Sequence, residues 1–354
     1  MTPLARLLAR RIAAEGPITV ADYMTECLLH PQHGYYSTRD PFGVAGDFTT
    51  APEISQMFGE LVGLCLAQAW VDQGQPAQFT LAELGPGRGT LMADILRATR
   101  AVPGFSDAAQ VHLVEASAAL RDIQRETLGG LPVVWHDSTD DLPEAPLFLV
   151  ANEFFDVLPI RQFIRDKDGW RERQVGVQDD ALTFGLSDAA LLTDLDHRLA
   201  DTKPGDLVET CAPARPIISR VAQRIAAHGG AALIIDYGDW RSLGDTLQAL
   251  QAHETADPLA SPGQADLTAH VDFEALATAA TGIAHSRLTP QGVFLERLGI
   301  TERARALAAK LGGTALDLHV TAHRRLTHPQ EMGSLFKVLG LTPVGFPPLP
   351  GLDP

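Results

Sequence analysis

Glu83-Leu84-Gly85-Pro86-Gly87-Arg88-Gly89 is the stretch on which the reading of this chain turns. The run before it, Phe79-Thr80-Leu81-Ala82-Glu83, reads as a buried strand. The run after it, Thr90 to Arg100, carries Leu91, Met92, Ile95 and Leu96 at helical spacing. Glycines at alternate positions let the backbone turn tightly and approach a ligand with no Cβ in the way. The spacing is G-x-G-x-G. A dinucleotide fingerprint needs its last glycine at position 90, where Thr90 stands, and a Gly-Lys-Ser/Thr phosphate loop is absent.

Outward from this turn the chain alternates. Val111 to Glu115 reads as the next strand, Ala118 to Leu128 as a helix, Val133 to Trp135 as a short strand and Leu147 to Val150 as another. That order predicts an α/β fold built on a parallel, doubly wound sheet, with ligands bound beyond the carboxyl ends of the strands. Between Arg161 and Leu186 the pattern changes to short alternating segments broken by Asp-Gly and Asp-Asp, which predicts antiparallel strands. The α/β rhythm returns with a helix near 214–228 and a strand from Ala231 to Asp236, and 253–268 reads as a polar loop. The expected division is a helical N-terminal region over 1–77, a core over 78–160 and 205–354, and an antiparallel insertion over 161–204, so that the fold carries an added α+β region beside its doubly wound sheet.

Composition sets the outer limits. At 354 residues and 45% apolar, the chain can bury a large core. No apolar run reaches the roughly 18 residues a membrane helix needs, so membrane insertion is not expected. Cys27, Cys65 and Cys211 lie far apart and form neither a disulfide framework nor a zinc knuckle, which points to a reducing cytoplasm. A net charge of −16 repels a phosphate backbone, and the basic clusters Arg10-Arg11 and Arg324-Arg325 are short. A nucleic-acid partner is therefore not expected, and a cationic one is easier to reconcile. Arg6, Arg10 and Arg11 in an acid-free start suggest a transit peptide, but Leu4, Leu7, Leu8 and Ile12 at helical spacing favour an ordinary amphipathic helix. His30/His33 and His319/His323 lack a third ligand at a recognisable spacing, so no metal is expected.

The acidic residue before the glycine turn selects the ligand. Glu83 repels a phosphate and suits a ligand with positive charge. S-adenosyl-L-methionine carries an ammonium and a sulfonium, and its carboxylate can use the amides of a helix N-terminus. The expected cofactor-binding set is Glu83, Gly85, Pro86, Gly87, Gly89 and Thr90, joined by Glu115 for the ribose diol and by Asp137 and Ser138 near the adenine edge. The loop from His30 to Thr50 is long for a structureless connection and reads as a binding loop or lid, with Tyr35, Tyr36 and Phe48 either walling a pocket or joining a core. It ends at Thr50-Ala51-Pro52-Glu53, which fits a capping box. Thr50, Pro52 and Glu53 are read either as capping alone or as further cofactor contacts.

Several longer motifs carry a family resemblance. They are Gly16-Pro17-Ile18 with Tyr23-Met24, His30-Pro31 and Gly34-Tyr35-Tyr36, then Gly46-Asp47-Phe48-Thr49-Thr50-Ala51-Pro52-Glu53-Ile54-Ser55 and the glycine turn itself. Asn152-Glu153-Phe154-Phe155-Asp156-Val157-Leu158-Pro159, Ile235-Asp236-Tyr237-Gly238, 266–273 and 291–295 follow. In these the chain resembles the MidA-like methyltransferases, which include the mitochondrial complex I assembly-factor arginine methyltransferases. The resemblance spans nearly the whole chain. It implies a Rossmann-like class I methyltransferase fold and, for the mitochondrial relatives, symmetric dimethylation of an arginine in a complex I core subunit. The start of the chain, close to the family's first helix, fits a bacterial cytoplasmic relative.

With an arginine acceptor in view, Glu153 and Asp156 are the expected guanidinium partners, since carboxylates hold guanidinium through paired hydrogen bonds, and Asn152 is expected to orient the reacting nitrogen. The alternative is that the carboxylates brace the turn before Pro159 or bind the methionine end of the cofactor. At the level of function, a small-molecule or RNA methyltransferase and an assembly chaperone that binds the cofactor without needing turnover stand beside the arginine reading. Oligomeric state is not legible.

Overall fold

The computed structural model describes residues 1–38, 49–167, 169–251 and 254–354. Contacts divide it into two units. The first comprises Met1–Phe48, Asp156–Arg215 and Arg241–Asp272, and the second Thr49–Phe155, Pro216–Trp240 and Phe273–Pro354.

The second unit is built on a twisted mixed sheet. The main path of this sheet has seven strands: β1 (Phe79–Leu84), β2 (Ala109–Val114), β3 (Val133–His136), β4 (Leu147–Asn152), β5 (Gly230–Asp239), β6 (Ile283–His285) and β7 (Phe336–Pro343). The spatial order is β6-β7-β5-β4-β1-β2-β3. Strands β1 to β5 run parallel, while β7 lies antiparallel to β5 and β6 antiparallel to β7. Every residue of β1 and β4 is buried, as expected for central parallel strands covered on both faces. The doubly wound sheet expected from the sequence is therefore present, with an antiparallel strand added at one side.

Helix α1 (Gln56–Asp72) crosses α2 (Thr90–Thr99) closely: a Cβ on Gly59 would stand 2.6 Å from Asp94 Cβ, and one on Gly63 would stand 2.9 Å from Ile95 Cα. Trp70 of α1 joins Phe79, Phe105 and Phe148 in an aromatic cluster whose neighbouring ring centroids lie 4.9–6.0 Å apart. Two further helices, α3 (Ala118–Thr127) and α4 (Ala214–His228), complete the crossovers that matter for the site.

The first unit begins with helices Pro3–Glu15 and Val20–Leu29. Leu4, Leu8 and Ile12 are buried, as their spacing predicts. A capping box is present at Thr19 and Asp22, each side chain bonding the other's backbone N–H. The antiparallel expectation for 161–186 holds: Arg161–Arg165, Trp170–Gln178 and Ala181–Leu186 pair in succession, and Leu207–Thr210 pairs with the first of them. Among the described residues, 254–268 depart from the loop reading of 253–268. Glu254–Ala256 and Asp266–Thr268 both pair with Gln248–Gln251 in a small antiparallel sheet.

The boundaries read from the sequence, 1–77 and 161–204, do not coincide with these units. Ile18 and Thr19 pair with Val175 and Gln174, and the apolar face of the first helices shares a core with Ile160, Val175, Ala249 and Leu267. The helical start thus belongs with the inserted strands. Helix α1 instead joins the sheet.

Candidate active site

Strand order reverses between β1 and β4, which are neighbours in space but have their sequence neighbours on opposite sides. Leu84 lies opposite Ala151, so the glycine turn and the segment Asn152-Glu153-Phe154 leave the sheet side by side at its carboxyl edge. This is the switch point at which open α/β sheets bind ligands.

Gly85, Gly87 and Gly89 have φ of +60°, +52° and +82°, in the left-handed region that a side chain disfavours. Gly85 is also sterically confined: a Cβ there would stand 2.8 Å from the Phe154 ring. The Gly85 N–H donates to the Val114 carbonyl at 3.0 Å and the Gly89 N–H to the Pro86 carbonyl at 2.7 Å. Gly89 is the N-cap of α2 and has no side chain of its own to bond the amides of the first turn.

Two carboxylates flank the turn. Glu83 is 3% exposed, and among the described residues its Oε2 has no hydrogen-bond partner. Burial and the nearby Glu115 carboxylate push its pKa up to about 8, although a bond from the Met92 N–H pulls the other way. Glu115, just beyond β2, accepts the Ser117 N–H on Oε1 at 2.8 Å and Gln124 Nε2 on Oε2 at 3.2 Å. Burial also raises its pKa, against the pull of those donors.

On the other side of the turn stands the short helix Ala51–Ile54. Here the capping-box expectation is corrected. Thr50 is the N-cap, but its side chain makes no cap bond, and Pro52 is buried in the first turn. Glu53 turns away from its own helix, and its Oε1 accepts the Thr90 hydroxyl at 2.5 Å, tying this helix to the start of α2.

Glu153 follows β4 in an unusual backbone state, with φ of +50°. Such a state costs a non-glycine residue about 1–3 kcal/mol and persists where surroundings enforce it. The enforcement is visible. The Glu153 N–H donates to the Ile235 carbonyl at 2.9 Å, and its Oε1 accepts from Ala51 N–H and Asn152 Nδ2, both at 3.1 Å. Asp236, fully buried within β5 one residue past its pairing with β4, accepts Phe154 N–H and Phe155 N–H on Oδ2 at 3.2 and 3.0 Å and Tyr237 N–H on Oδ1 at 2.9 Å. Asn152 Oδ1 is buried without a partner among the described residues.

The remaining expected residues fall elsewhere. Asp137 is largely exposed and paired with Arg121, and Ser138 accepts the Asp140 N–H at the start of a short 3-10 turn. Asp156 groups with the first unit, where its carbonyl accepts the Ala269 N–H. Tyr35 is fully buried in the core of the first unit and packs edge-on against Tyr36, whose hydroxyl donates to Asp266. Phe48 lies outside the described residues. The His30 and His33 rings stack on each other, while His319 faces the Ala304 carbonyl and His323 the Thr301 hydroxyl.

Two residues that hold this region escaped the sequence reading as site residues. Asp236 had a faint signal, an acid closing a long apolar strand. Gln124 had none, as one polar residue among many on α3.

The donor set fits S-adenosyl-L-methionine. A buried carboxylate with an oxygen unpartnered among the described residues suits an ammonium, a Cβ-free turn admits close approach, and a glycine N-cap places no side chain between the first turn of α2 and a carboxylate. Comparison with known proteins agrees. Residues 61–292 match a family model described as S-adenosyl-L-methionine-dependent methyltransferase. A Mus musculus protein named "Protein arginine methyltransferase NDUFAF7, mitochondrial" is 40% identical, over 97% of this chain and 85% of its own length. A Drosophila melanogaster homolog of that name is 35% identical over 96% and 85%. A crystal structure of a Burkholderia thailandensis protein bound to S-adenosyl-homocysteine is 31% identical with a TM-score of 0.83, covering 99% of this chain and 92% of that one.

Proposed function

The chain belongs to the family of S-adenosyl-L-methionine-dependent methyltransferases that contains these mitochondrial proteins, and on that premise we propose that it is a protein arginine N-methyltransferase acting in the cytoplasm of a bacterium. In this reading it symmetrically dimethylates an arginine of a respiratory complex I core subunit or its bacterial equivalent. The observation that carries the proposal is the 40% identity, over 97% of the chain, to a relative named for arginine methylation. The net charge of −16 supports a cationic acceptor.

When bound, the cofactor supplies an electrophilic methyl on a sulfonium. Gly85 to Gly89 and the first amides of α2 would hold its methionine end, with Glu83 facing the ammonium and Glu115 the ribose diol. Glu153 is the group we assign to the acceptor. Its carboxylate is oriented by Ala51 N–H and Asn152 Nδ2, so it meets a guanidinium with little reorganisation. A carboxylate so placed aligns one guanidinium nitrogen and shares its charge through charge-assisted hydrogen bonds. The guanidinium pKa exceeds about 12, so the proton leaves during or after transfer rather than to a prior base.

The test uses methyl-labelled cofactor and an extract of cells lacking the enzyme. Label is expected in symmetric dimethylarginine, lost with Glu153→Gln while S-adenosyl-homocysteine affinity stays within about threefold, because that change removes transition-state rather than cofactor contacts. Label in RNA or in small molecules refutes the arginine assignment. Cofactor binding without label in any fraction supports an assembly chaperone instead.

A further inference from the structure

We infer that Gln124 is a positioning residue that sets how tightly the cofactor is held, by bracing the glycine turn and Glu115 from beneath. The amide is fully buried, and its three side-chain bonds reach three different elements, two of them at the proposed cofactor edge. Its Nε2 donates to the Gly87 carbonyl at 2.8 Å and to Glu115 Oε2 at 3.2 Å, and its Oε1 accepts the Trp135 Nε1–H at 2.8 Å. Those partners belong to the turn after β1, the end of β2, and β3. Its Cγ lies 3.5 Å from where a Cβ on Gly89 would sit, so the stem also underlies the third glycine of the turn.

The placement runs against ordinary core packing. Only Leu120 and Gln124 of α3 are buried, one helical turn apart on one face, and an apolar side chain would fill the second position without desolvating an amide. A buried amide is tolerated because its donors and acceptor are satisfied, and here both donor bonds go to the proposed cofactor edge while the oxygen is held by Trp135, which packs against the core. With Ser117 N–H on one oxygen and Gln124 on the other, Glu115 is held in one orientation. The charged group bonded to the amide is Glu115, which couples in turn to Glu83; Arg121 is bonded to the Glu115 carbonyl, and Arg125 stacks on Trp135.

Two variants test this, with S-adenosyl-homocysteine as the probe in calorimetry and the melting temperature measured in parallel. Gln124→Leu removes both bonds to the edge, and affinity is expected to fall about tenfold or more in protein that remains folded. Gln124→Glu adds a charge that titrates. Its protonated form still donates to one edge partner and accepts from Trp135; its ionised form donates nothing and repels Glu115. Affinity is therefore expected to decline between pH 5.5 and 8.5 relative to the wild type, a slope that a purely structural role would not produce. A folded Gln124→Leu protein within twofold of wild-type affinity overturns the inference. So does a Gln124→Glu profile parallel to the wild type, and that profile decides the matter if Gln124→Leu does not fold.

Discussion

Cofactor binding should expel a proton from Glu83. The carboxyl is 3% exposed with its Oε2 unpartnered, and its pKa stands at about 8, so at neutral pH the ligand-free protein holds it mostly protonated. An ammonium needs the ionised form. The apparent dissociation constant then carries a factor of one plus the ratio of protonated to ionised Glu83. That factor is about 100 at pH 6 and about 4 at pH 7.5, a tightening of roughly 25-fold or about 2 kcal/mol. Titration calorimetry with S-adenosyl-homocysteine in two buffers of different ionisation enthalpy should report close to one proton released per molecule bound at pH 6.5. Stability moves oppositely in the ligand-free protein. A carboxyl raised above its ordinary value stabilises the fold most below that value, and the contribution is lost as pH climbs toward 8, so the melting temperature should fall over that window from this group. Glu83→Gln should flatten the pH dependence and abolish proton release. An affinity that is level from pH 6 to 7.5, with no proton released, refutes the reasoning.

Other perturbations have equally definite outcomes. Asp236→Asn leaves an amide N–H facing one set of backbone donors, so it should cost about 2–4 kcal/mol by denaturant titration and reduce methyl transfer by displacing the Glu153 turn. Gly85→Ala combines a φ of +60° with a 2.8 Å approach to the Phe154 ring and should weaken S-adenosyl-homocysteine binding at least tenfold by calorimetry, with about 1–3 kcal/mol lost in stability. Glu60 is opposed by burial, but bonds from Arg303 and Arg97 hold its pKa below the ordinary value. Its stabilising contribution is present above that ordinary value and lost as pH falls through the lowered one. Glu60→Gln should therefore blunt the acid-side drop in melting temperature while costing about 2 kcal/mol at pH 7.

The glycine turn, the strand–helix alternation and the two strand-end carboxylates were all legible in the sequence, because each is encoded within a few neighbouring residues. Alternating glycines announce left-handed backbone wherever they occur, buried parallel strands read as apolar runs, and a residue closing such a run stands at the sheet edge. The sequence alone thus determined the fold class and pointed to Glu83 and Glu115. What holds those groups was decided by tertiary structure. Asp236 bonds to Phe154 across 82 residues, Gln124 to Gly87 across 37, and Glu53 to Thr90 across 37 rather than to its own helix start. The positive φ of Glu153, the pairing of Asp137 with Arg121 and the grouping of the N-terminal helices with the later antiparallel strands have the same origin. Propensity and periodicity act over a turn or two of chain, whereas a buried hydrogen bond selects whichever partner the packed sheet brings within 3 Å, and no local pattern records that choice.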